Sequence, residues 1–270
     1  MEQHGNNPLQ NVVAIIPARY SSVRLPGKLL LPIAGEPLIV HTMRRAAAAR
    51  NVGRVIVATD DARIFEAVNA AGGEALMTLP EHPSGSDRIA EAAIDLPEGT
   101  AVVNIQGDEP VIAPETIERA VDAFLTGGAD IVTVSEPFEN AADILSPDAV
   151  KVVTNAAGFA MYFSRSPVPF PRDAVKMYGG LGEALSAEPE LIKEYRKHTG
   201  IYVYGREFLI EYTKKTQSRL EKFEMLEQMR ALEEGSKIRV VKSAAASIGV
   251  DTQEDLDRVR AMFETERAGV

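Results

Sequence analysis

The chain has 270 residues, of which 45% are hydrophobic, and this is enough apolar material for one sizeable core or one core with a small lobe. Its 29 basic and 39 acidic residues give a net charge of −10, which disfavours a general binder of nucleic acid or anionic membranes. There is no cysteine, so disulfides and thiolate metal sites are excluded.

The chain begins with a polar segment, residues 1–10, which we expect to be disordered. This segment does not have the pattern of a signal peptide, and no apolar run in the sequence approaches the length of a membrane-spanning helix. The sequence therefore predicts a cytoplasmic protein that binds neither membrane nor nucleic acid.

Strands alternate with helices through the first half of the chain. The strands are short, nearly continuous apolar runs, which are typical of a sheet covered on both faces; they are predicted at 11–16, 54–58, 101–106 and 131–135. The helices, two of which begin with proline, are predicted at 37–49, 62–71, 86–94 and 114–124. This alternation predicts an α/β fold with a doubly wound parallel sheet, whose ligands bind at the carboxyl ends of the strands.

The pattern changes after about residue 150. Strand-like runs at 150–154, 159–163 and 200–204 surround a stretch with proline and glycine, residues 166–195, whose local structure the pattern does not define. A helix at 220–234, a strand at 238–241 and a helix at 253–267 are predicted to close the chain. Because there is no internal repeat or low-complexity linker, we expect one domain over 11–267 with a small appended lobe.

The loop after the first strand carries three cations. The run IIPARYSSVRLPGKLL places Arg19, Arg24 and Lys28 among two prolines and a glycine, at the expected ligand-binding edge of the sheet. Arginines on a loop are usually only solvated, but three cations beside unpaired backbone N–H groups suit a polyphosphate. The loop therefore predicts a nucleoside triphosphate as ligand.

Two segments offer carboxylates for the Mg²⁺ that a polyphosphate requires. In VVNIQGDEP, Asp108 follows an apolar strand, and an ordinary turn is the competing interpretation. In IGVDTQEDL, Asp251 and Thr252 precede a helix, and the Thr-x-x-Asp spacing is typical of helix capping, so either residue can cap while the other points into a cleft. The four histidines have no metal-ligand spacing, so a metal must use carboxylates.

Eight segments in order resemble the 3-deoxy-D-manno-octulosonate cytidylyltransferase family: IIPARYSSVRLPGK, EHPSGSDRIAEA, VVNIQGDEP, AVKVV, YFSR, HTGIYVY, EMLEQMRAL and GVDTQEDL. The resemblance implies a nucleotide-diphospho-sugar transferase fold, which is a doubly wound, mixed and mostly parallel sheet, in a cytoplasmic homodimer with a dimerisation lobe at about 166–215. It also implies a reaction in lipopolysaccharide biosynthesis: with Mg²⁺, CTP and 3-deoxy-D-manno-octulosonate (KDO) give CMP-KDO and diphosphate.

The same resemblance implies roles for individual residues. It places four in catalysis, two of which would hold Mg²⁺: Lys28 and Arg24, and the metal ligands Asp108 and Asp251. It implies contacts with CTP from Ala18, Arg19, Arg24, Lys28, Ser84, Gly85 and Arg88. It implies contacts with KDO from Gln106, Arg165, His198, Tyr202, Glu227 and Gln228.

Some of these residues also have a purely structural interpretation. Tyr202 could be a core aromatic residue, and His198 could cap the start of a strand. In the predicted helix at 220–234, Leu220, Phe223 and Glu227 share one face, which sets a carboxylate beside apolar neighbours. Such a carboxylate prefers a partner or a cleft to plain solvent, and this favours a functional role for Glu227.

Three other functions stay open. One is a cytidylyltransferase for a related sugar acid, such as 8-amino-KDO or sialic acid; the sialic acid enzymes usually have glycines where Tyr20, Ser21 and Ser22 follow Arg19. A second is a purine- or thymidine-nucleotide sugar pyrophosphorylase, which would carry a glycine-rich first loop. The third is a non-catalytic sugar-nucleotide-binding protein, against which the two aspartates argue.

Overall fold

A computed structural model describes residues 11–22 and 24–268, so the predicted disorder of residues 1–10 lies outside the described residues. The strands are β1 (Val12–Ala18), β2 (Pro32–Ile33), β3 (Glu36–Pro37), β4 (Arg54–Thr59), β5 (Glu74–Met77), β6 (Ala101–Asn104), β7 (Ile131–Pro137), β8 (Lys151–Thr154), β9 (Ala160–Ser164), β10 (Arg196–Gly205) and β11 (Ile238–Lys242).

Helices cover the sheet and form the lobe. They are α1 (Leu38–Ala47), α2 (Ala62–Ala70), α3 (Gly85–Ala93), α4 (Pro114–Leu125), α5 (Ala141–Leu145), α6 (Arg172–Tyr178), α7 (Leu181–Ala187), α8 (Arg206–Thr213), α9 (Arg219–Glu224), α10 (Gln228–Glu233) and α11 (Gln253–Ala268), with 3-10 turns at Lys28–Leu30 and Pro189–Glu194. Among the described residues, no helix combines the length and the apolar character that crossing a membrane requires.

Nine strands of the described chain form one mixed sheet, in the order β11-β7-β10-β6-β1-β4-β5 with β8 and β9 attached beside β10. Strands β6, β1, β4 and β5 are parallel to each other, and β7 is parallel to β11. Strand β10 runs antiparallel to β6, β7 and β8. The predicted α/β fold class is confirmed, whereas β5 and the small β2–β3 hairpin were not predicted.

The apolar run of β1 shows how the sheet is covered on both faces. Val12, Ala14 and Ile16 are buried in one core, whereas Val13 and Ile15, which point the opposite way, are buried in another. Burial on both faces explains why the strand lacks the polar alternation of a half-exposed strand. Because β1 lies at the centre of the parallel part, its carboxyl end opens at the middle of the functional edge.

The stretch at 166–195 is helical and packs around a small separate core. It contains α6, α7 and the second 3-10 turn, and it shares this core with the segment around α5, because Leu185 and Tyr195 are buried against Phe138 and Ile144. Strand β10, which lies within the predicted lobe boundaries of 166–215, pairs with β6 and β7 in the main sheet. The part that stands apart is therefore the helical stretch before β10.

The prediction of a continuous helix at 220–234 is wrong. Met225 has a left-handed backbone with φ 53° and separates α9 from α10, and the side chains of Phe223 and Met225 are 78% and 75% exposed. The reason is a buried ion pair between Glu221 on α9 and Arg230 on α10. In one straight helix these two residues would be about 13 Å apart along the axis, so the chain must fold back for them to meet.

Candidate active site

The loop after β1 brings two of its cations against carboxylates from distant parts of the chain. The Nζ atom of Lys28 lies 2.5 Å from Oδ2 of Asp108 and 2.8 Å from Oδ1 of Asp251. The Nη2 atom of Arg24 lies 2.7 Å from Oδ2 of Asp251. Gly27 has φ 67°, and a Cβ atom there would also lie 3.0 Å from the ring of Tyr20, so glycine suits the turn that delivers Lys28.

A backbone contact explains why the two aspartates meet. The N–H group of Val250 donates to the carbonyl of Asp108 at 2.9 Å and joins the turn after β6 to the start of α11. Thr252 caps α11: its Oγ1 accepts from the N–H of Asp255 at 3.2 Å, and its own N–H donates to the Asp255 carboxylate at 2.9 Å. The capping prediction is confirmed for Thr252, which leaves Asp251 to face Lys28.

The charge state of Lys28 follows from its surroundings. Burial by itself lowers the pKa of this ammonium group, but the charges and hydrogen bonds of Asp108 and Asp251 outweigh burial, and the pKa is raised overall. Lys28 is therefore protonated at neutral pH. A half-buried cation between two carboxylates can exchange these partners for phosphate oxygens.

A cavity of about 360 Å³ opens beside this cluster. Its walls include Lys28 and Asp108 together with Arg19, Ser84, Gly85 and Gln106. Arg19 donates from Nη2 to the carbonyl oxygens of Ser84, at 3.1 Å, and His82. Ser84 also caps α3 by accepting from the N–H of Asp87, so the start of the helix lies at the cavity, and the first backbone N–H groups of a helix have no partner within it. Cations and helix N–H groups together suit a phosphate-bearing ligand.

A second cavity, of about 200 Å³, adjoins the first, and Gly85 and Gln106 line both. Four residues predicted for the sugar line this second cavity: Gln106, Tyr202, Glu227 and Gln228. The hydroxyl of Tyr202 donates to Oε1 of Gln228 at 3.1 Å, and the amide of Gln106 donates to the carbonyl of Gly200 at 3.2 Å. Hydroxyl and amide groups of this kind suit a polyhydroxylated ligand.

Glu227 is a carboxylate held in the second cavity. Burial raises the pKa of Glu227, and the hydrogen bond that Oε2 accepts from the Ser86 hydroxyl, at 2.5 Å, opposes this shift. The Tyr212 hydroxyl donates to the Glu227 carbonyl and fixes the backbone at the same point. The partner or cleft expected for this carboxylate is therefore present, although the helix that motivated the expectation is not.

A model of the cytidylyltransferase family matches residues 13–238. The 3-deoxy-manno-octulosonate cytidylyltransferase of Trichlorobacter lovleyi is 47% identical over 250 residues, which are 92% of this chain and 97% of that protein. The enzyme of the same name from Yersinia enterocolitica is 43% identical over 255 residues, which are 93% and 98% of the two chains. The chain belongs to the 3-deoxy-manno-octulosonate cytidylyltransferase family.

Solved structures agree with this membership. A structure of CMP:2-keto-3-deoxy-manno-octonic acid synthetase complexed with CTP has a TM-score of 0.84 and 40% identity, and the match covers 95% of this chain and 99% of that one. The 4-diphosphocytidyl-2C-methyl-D-erythritol synthase of Anaerococcus prevotii has a TM-score of 0.57 at 16% identity over 94% and 96% of the chains, and this shows a shared fold alone. Both the sequence resemblance and the predicted fold class are confirmed.

Arg24, Arg88 and Arg165, all predicted for ligand binding in this cytidylyltransferase, line neither cavity. Arg24 pairs with Asp251, which is also the partner of Lys28. Arg88 is fully buried, with Nη2 at 2.9 Å from the Asp60 carboxylate. Arg165 donates from Nε to the carbonyl of Glu224 at 2.7 Å, from Nη1 to that of Pro147 at 2.9 Å and from Nη2 to that of Met225 at 3.3 Å. These contacts favour a structural role for Arg88 and Arg165, and Arg165 supports the turn between α9 and α10.

His198 and Ala18 also lie outside the two cavities. His198 is inside β10, with Nε2 at 2.9 Å from the Thr133 hydroxyl and its ring against those of Phe163 and Tyr202. Burial lowers the pKa of His198 to about 3, so the imidazole is neutral at physiological pH. Ala18 ends β1 with its side chain fully buried.

Sequence reasoning missed several residues of the second cavity. Tyr204 and Asn104 line it beside Tyr202 and Gln106. Tyr204 lies two positions after Tyr202 on β10, and Asn104, the last residue of β6, lies two positions before Gln106, so both members of each pair point to the same face. The period of two along β6 and β10 was the signal that would have found them.

Proposed function

We propose that this cytidylyltransferase transfers the cytidylyl group of CTP to KDO, giving CMP-KDO and diphosphate for lipopolysaccharide biosynthesis. The observation that carries the proposal is the pair of adjoining cavities that meet at Gly85 and Gln106. Arg19, Lys28 and Asp108 line one cavity, and Asp251 and Arg24 are paired to that cluster, as suits a metal-bound triphosphate. The other cavity has the hydroxyl and amide groups that suit a sugar acid. The names of the relatives support KDO rather than another sugar acid.

We assign the nucleotide to the first cavity. The triphosphate would bind Arg19, Arg24 and Lys28, and the nucleoside would lie near Ser84 and Gly85 at the start of α3. A structural neighbour was solved in complex with CTP, and this supports CTP as the nucleotide. The carboxylates of Asp108 and Asp251 balance the charges of Lys28 and Arg24.

We also propose that Asp108 and Asp251 hold Mg²⁺. Their carboxylates converge on one ammonium group, and carboxylate oxygens are the protein ligands that Mg²⁺ prefers. Among the described residues no group of three or more metal-ligating side chains occurs, so phosphate oxygens and water would complete the coordination. When bound, the ion would neutralise negative charge on the reacting phosphates.

The mechanism we propose is direct nucleotidyl transfer without a covalent enzyme intermediate. The anomeric hydroxyl of KDO attacks the α-phosphorus of CTP, the bond to the leaving diphosphate breaks in line with this attack, and the hydroxyl proton passes through solvent to the diphosphate. The chain contributes positioning and charge. Gln106, at the boundary of the two cavities, lies beside both substrates, and protonated Lys28 neutralises charge on the leaving diphosphate. A non-catalytic binding protein would have no need for the cluster of Lys28 with two carboxylates.

We further propose that the enzyme is a cytoplasmic homodimer with one domain over 11–267. Large apolar side chains are exposed in and beside the helical stretch before β10, and exposed apolar groups of this size favour a protein contact. They are Met161, Phe170, Met177, Phe223 and Met225. Use of CTP and the lack of cysteine suit the cytoplasm. Sedimentation of the protein tests the dimer, and a monomer at micromolar concentration would contradict it.

The reaction is tested by release of diphosphate with each of the four nucleoside triphosphates against KDO, 8-amino-KDO and sialic acid. We expect turnover with CTP and KDO. Asp108→Asn should lower kcat at least about a hundredfold, or roughly 3 kcal/mol, with a smaller loss of CTP binding. Asp173→Asn is the control, since the Asp173 side chain is 92% exposed. Turnover near that of the parent in folded Asp108→Asn would contradict the metal assignment.

A further inference from the structure

The loop that precedes α3, residues 79–84, is tied to that helix at several points. Leu79 donates from its backbone N–H to Oε2 of Glu91 at 3.0 Å, and the His82 ring nitrogen Nε2 contacts the same oxygen. At the far end of the loop, Ser84 caps the helix. Glu91 therefore closes the loop onto the helix that follows it, over a span of twelve residues from Leu79.

A neighbouring side chain of α3 anchors the entry to this loop. Arg88 lies three residues before Glu91 and so shares one face of the helix with it. Its guanidinium donates to the hydroxyl of Thr78, directly before the loop, and to the carboxylate of Asp60 after β4. With its start fixed by Arg88 and its middle by Glu91, the loop has a defined backbone path.

The carbonyl groups of this loop hold a cation of the nucleotide cavity. Arg19 donates from Nη2 to the carbonyls of His82 and Ser84, which lie on either side of Pro83. A guanidinium group has five N–H donors, and both of these hydrogen bonds come from the same nitrogen, so donors on Nε and Nη1 are available to phosphate oxygens. The loop orients Arg19 at the cavity wall without using up its binding capacity.

We propose that Glu91 is a positioning residue for nucleotide transfer, which acts through the 79–84 loop on the orientation of Arg19. The proposal rests on the assignment of the triphosphate to the first cavity. Glu91 lines neither cavity, so its effect must pass through the loop. Its carboxylate makes two separable contacts. The amide oxygen of a glutamine could also accept the hydrogen bond from the N–H of Leu79, whereas the His82 ring is bound better by a carboxylate than by a neutral amide.

The proposal predicts a graded effect on CTP and none on the sugar acid. Glu91→Ala, which removes both contacts, should raise the KM for CTP about tenfold, because a displaced binding group is costly, and leave the KM for KDO unchanged. Glu91→Gln should have a smaller effect. Glu98→Gln is the control, since Glu98 is exposed beyond the end of α3. An unchanged KM for CTP in folded Glu91→Ala would overturn the proposal.

A double-mutant cycle separates positioning from plain stabilisation. If Glu91 acts through Arg19, then Glu91→Ala should add little to the KM for CTP in an Arg19→Ala background. His82→Ala keeps the carbonyl that Arg19 contacts but loses the ring contact, so its effect should also fail to add to that of Glu91→Ala. Full additivity with Arg19→Ala would mean that Glu91 only stabilises the fold. If Arg19→Ala itself leaves the KM for CTP unchanged, the site assignment fails instead.

Discussion

Replacement of Glu221 by glutamine breaks the ion pair that joins α9 to α10, on either side of the turn whose residues line the second cavity. In the parent, Arg230 donates from Nε at 2.8 Å and from Nη2 at 2.6 Å to the two oxygens of Glu221. The Glu221 side chain is only 3% exposed, and the Arg230 side chain is 8% exposed. Glutamine keeps the size of glutamate but places an N–H₂ group where one of the acceptor oxygens was, and it leaves a buried cation without a counter-charge.

The cost follows from this burial. Removal of one partner of a buried ion pair costs about 3–5 kcal/mol. Arg230 keeps hydrogen bonds to the carbonyls of Tyr212, at 3.3 Å, and Lys215, at 3.1 Å, so we expect the lower end, about 3 kcal/mol. For a chain of this size, each kcal/mol corresponds to about 2–4 °C in Tm, which gives a fall of about 6–12 °C.

Urea unfolding followed by circular dichroism measures this change, with a thermal melt as a second readout. Glu211→Gln is the matched control, since Glu211 and its partner Lys214 are 70% and 64% exposed, and a surface pair of this kind contributes about 0–1 kcal/mol. Because the pair supports the wall formed by Glu227 and Gln228, the KM for KDO should rise in Glu221→Gln more than that for CTP. A loss of stability below about 1 kcal/mol would refute the reasoning.

Three further variants test other parts of the structure. Lys28→Ala removes a positive charge that faces the phosphates, so in steady-state kinetics kcat should fall and the KM for CTP should rise, each at least about tenfold. If the KM values for CTP and KDO rise equally, Lys28 is structural. Arg165→Lys loses the guanidinium group that holds three carbonyls, so the Tm should fall and the KM for KDO should rise together. A rise in the KM for KDO with an unchanged Tm would instead indicate that Arg165 contacts the carboxylate of KDO directly. His198 has a folded pKa of about 3 against about 6.5 when unfolded, so its stabilising contribution is complete above pH 6.5 and falls by about 1 kcal/mol per pH unit below it. Urea midpoints of His198→Asn should show a shallower loss between pH 6.5 and 4.5, and an unchanged slope would contradict the burial of a neutral ring.

The parts of the site that could be predicted from the sequence are those set by local pattern. The cation loop follows an apolar strand, and the edge at which such a strand ends is fixed by the fold class, so the position of Lys28 was predictable. The sequence could not predict which of Asp251 and Thr252 faces Lys28, because both residues suit the start of a helix. The hydrogen bond from Val250 to Asp108 decides this, and it joins segments more than 140 residues apart.

Long-range pairing also explains the errors. The apolar spacing at 220–234 is compatible with one helix, but the pairing of Glu221 with Arg230 is satisfied only when the chain turns at Met225. The guanidinium of Arg165 then donates to two carbonyls of that turn, those of Glu224 and Met225, and to the carbonyl of Pro147. Neither arrangement leaves a mark in the periodicity of the sequence, since both depend on segments that meet only in the folded protein.

The wall that Gly85 and Gln106 share between the two cavities restricts how such an enzyme can diverge. A Cβ atom added at Gly85 would lie 3.4 Å from the Pro17 side chain, which is an ordinary van der Waals contact, but any longer side chain would start from a position that lines both cavities. A lineage that changed this wall to accept a new sugar acid would alter its handling of CTP in the same step. New acceptor preferences should therefore arise by substitution in the turn between α9 and α10, around Leu226 and Glu227, where only the sugar side is touched.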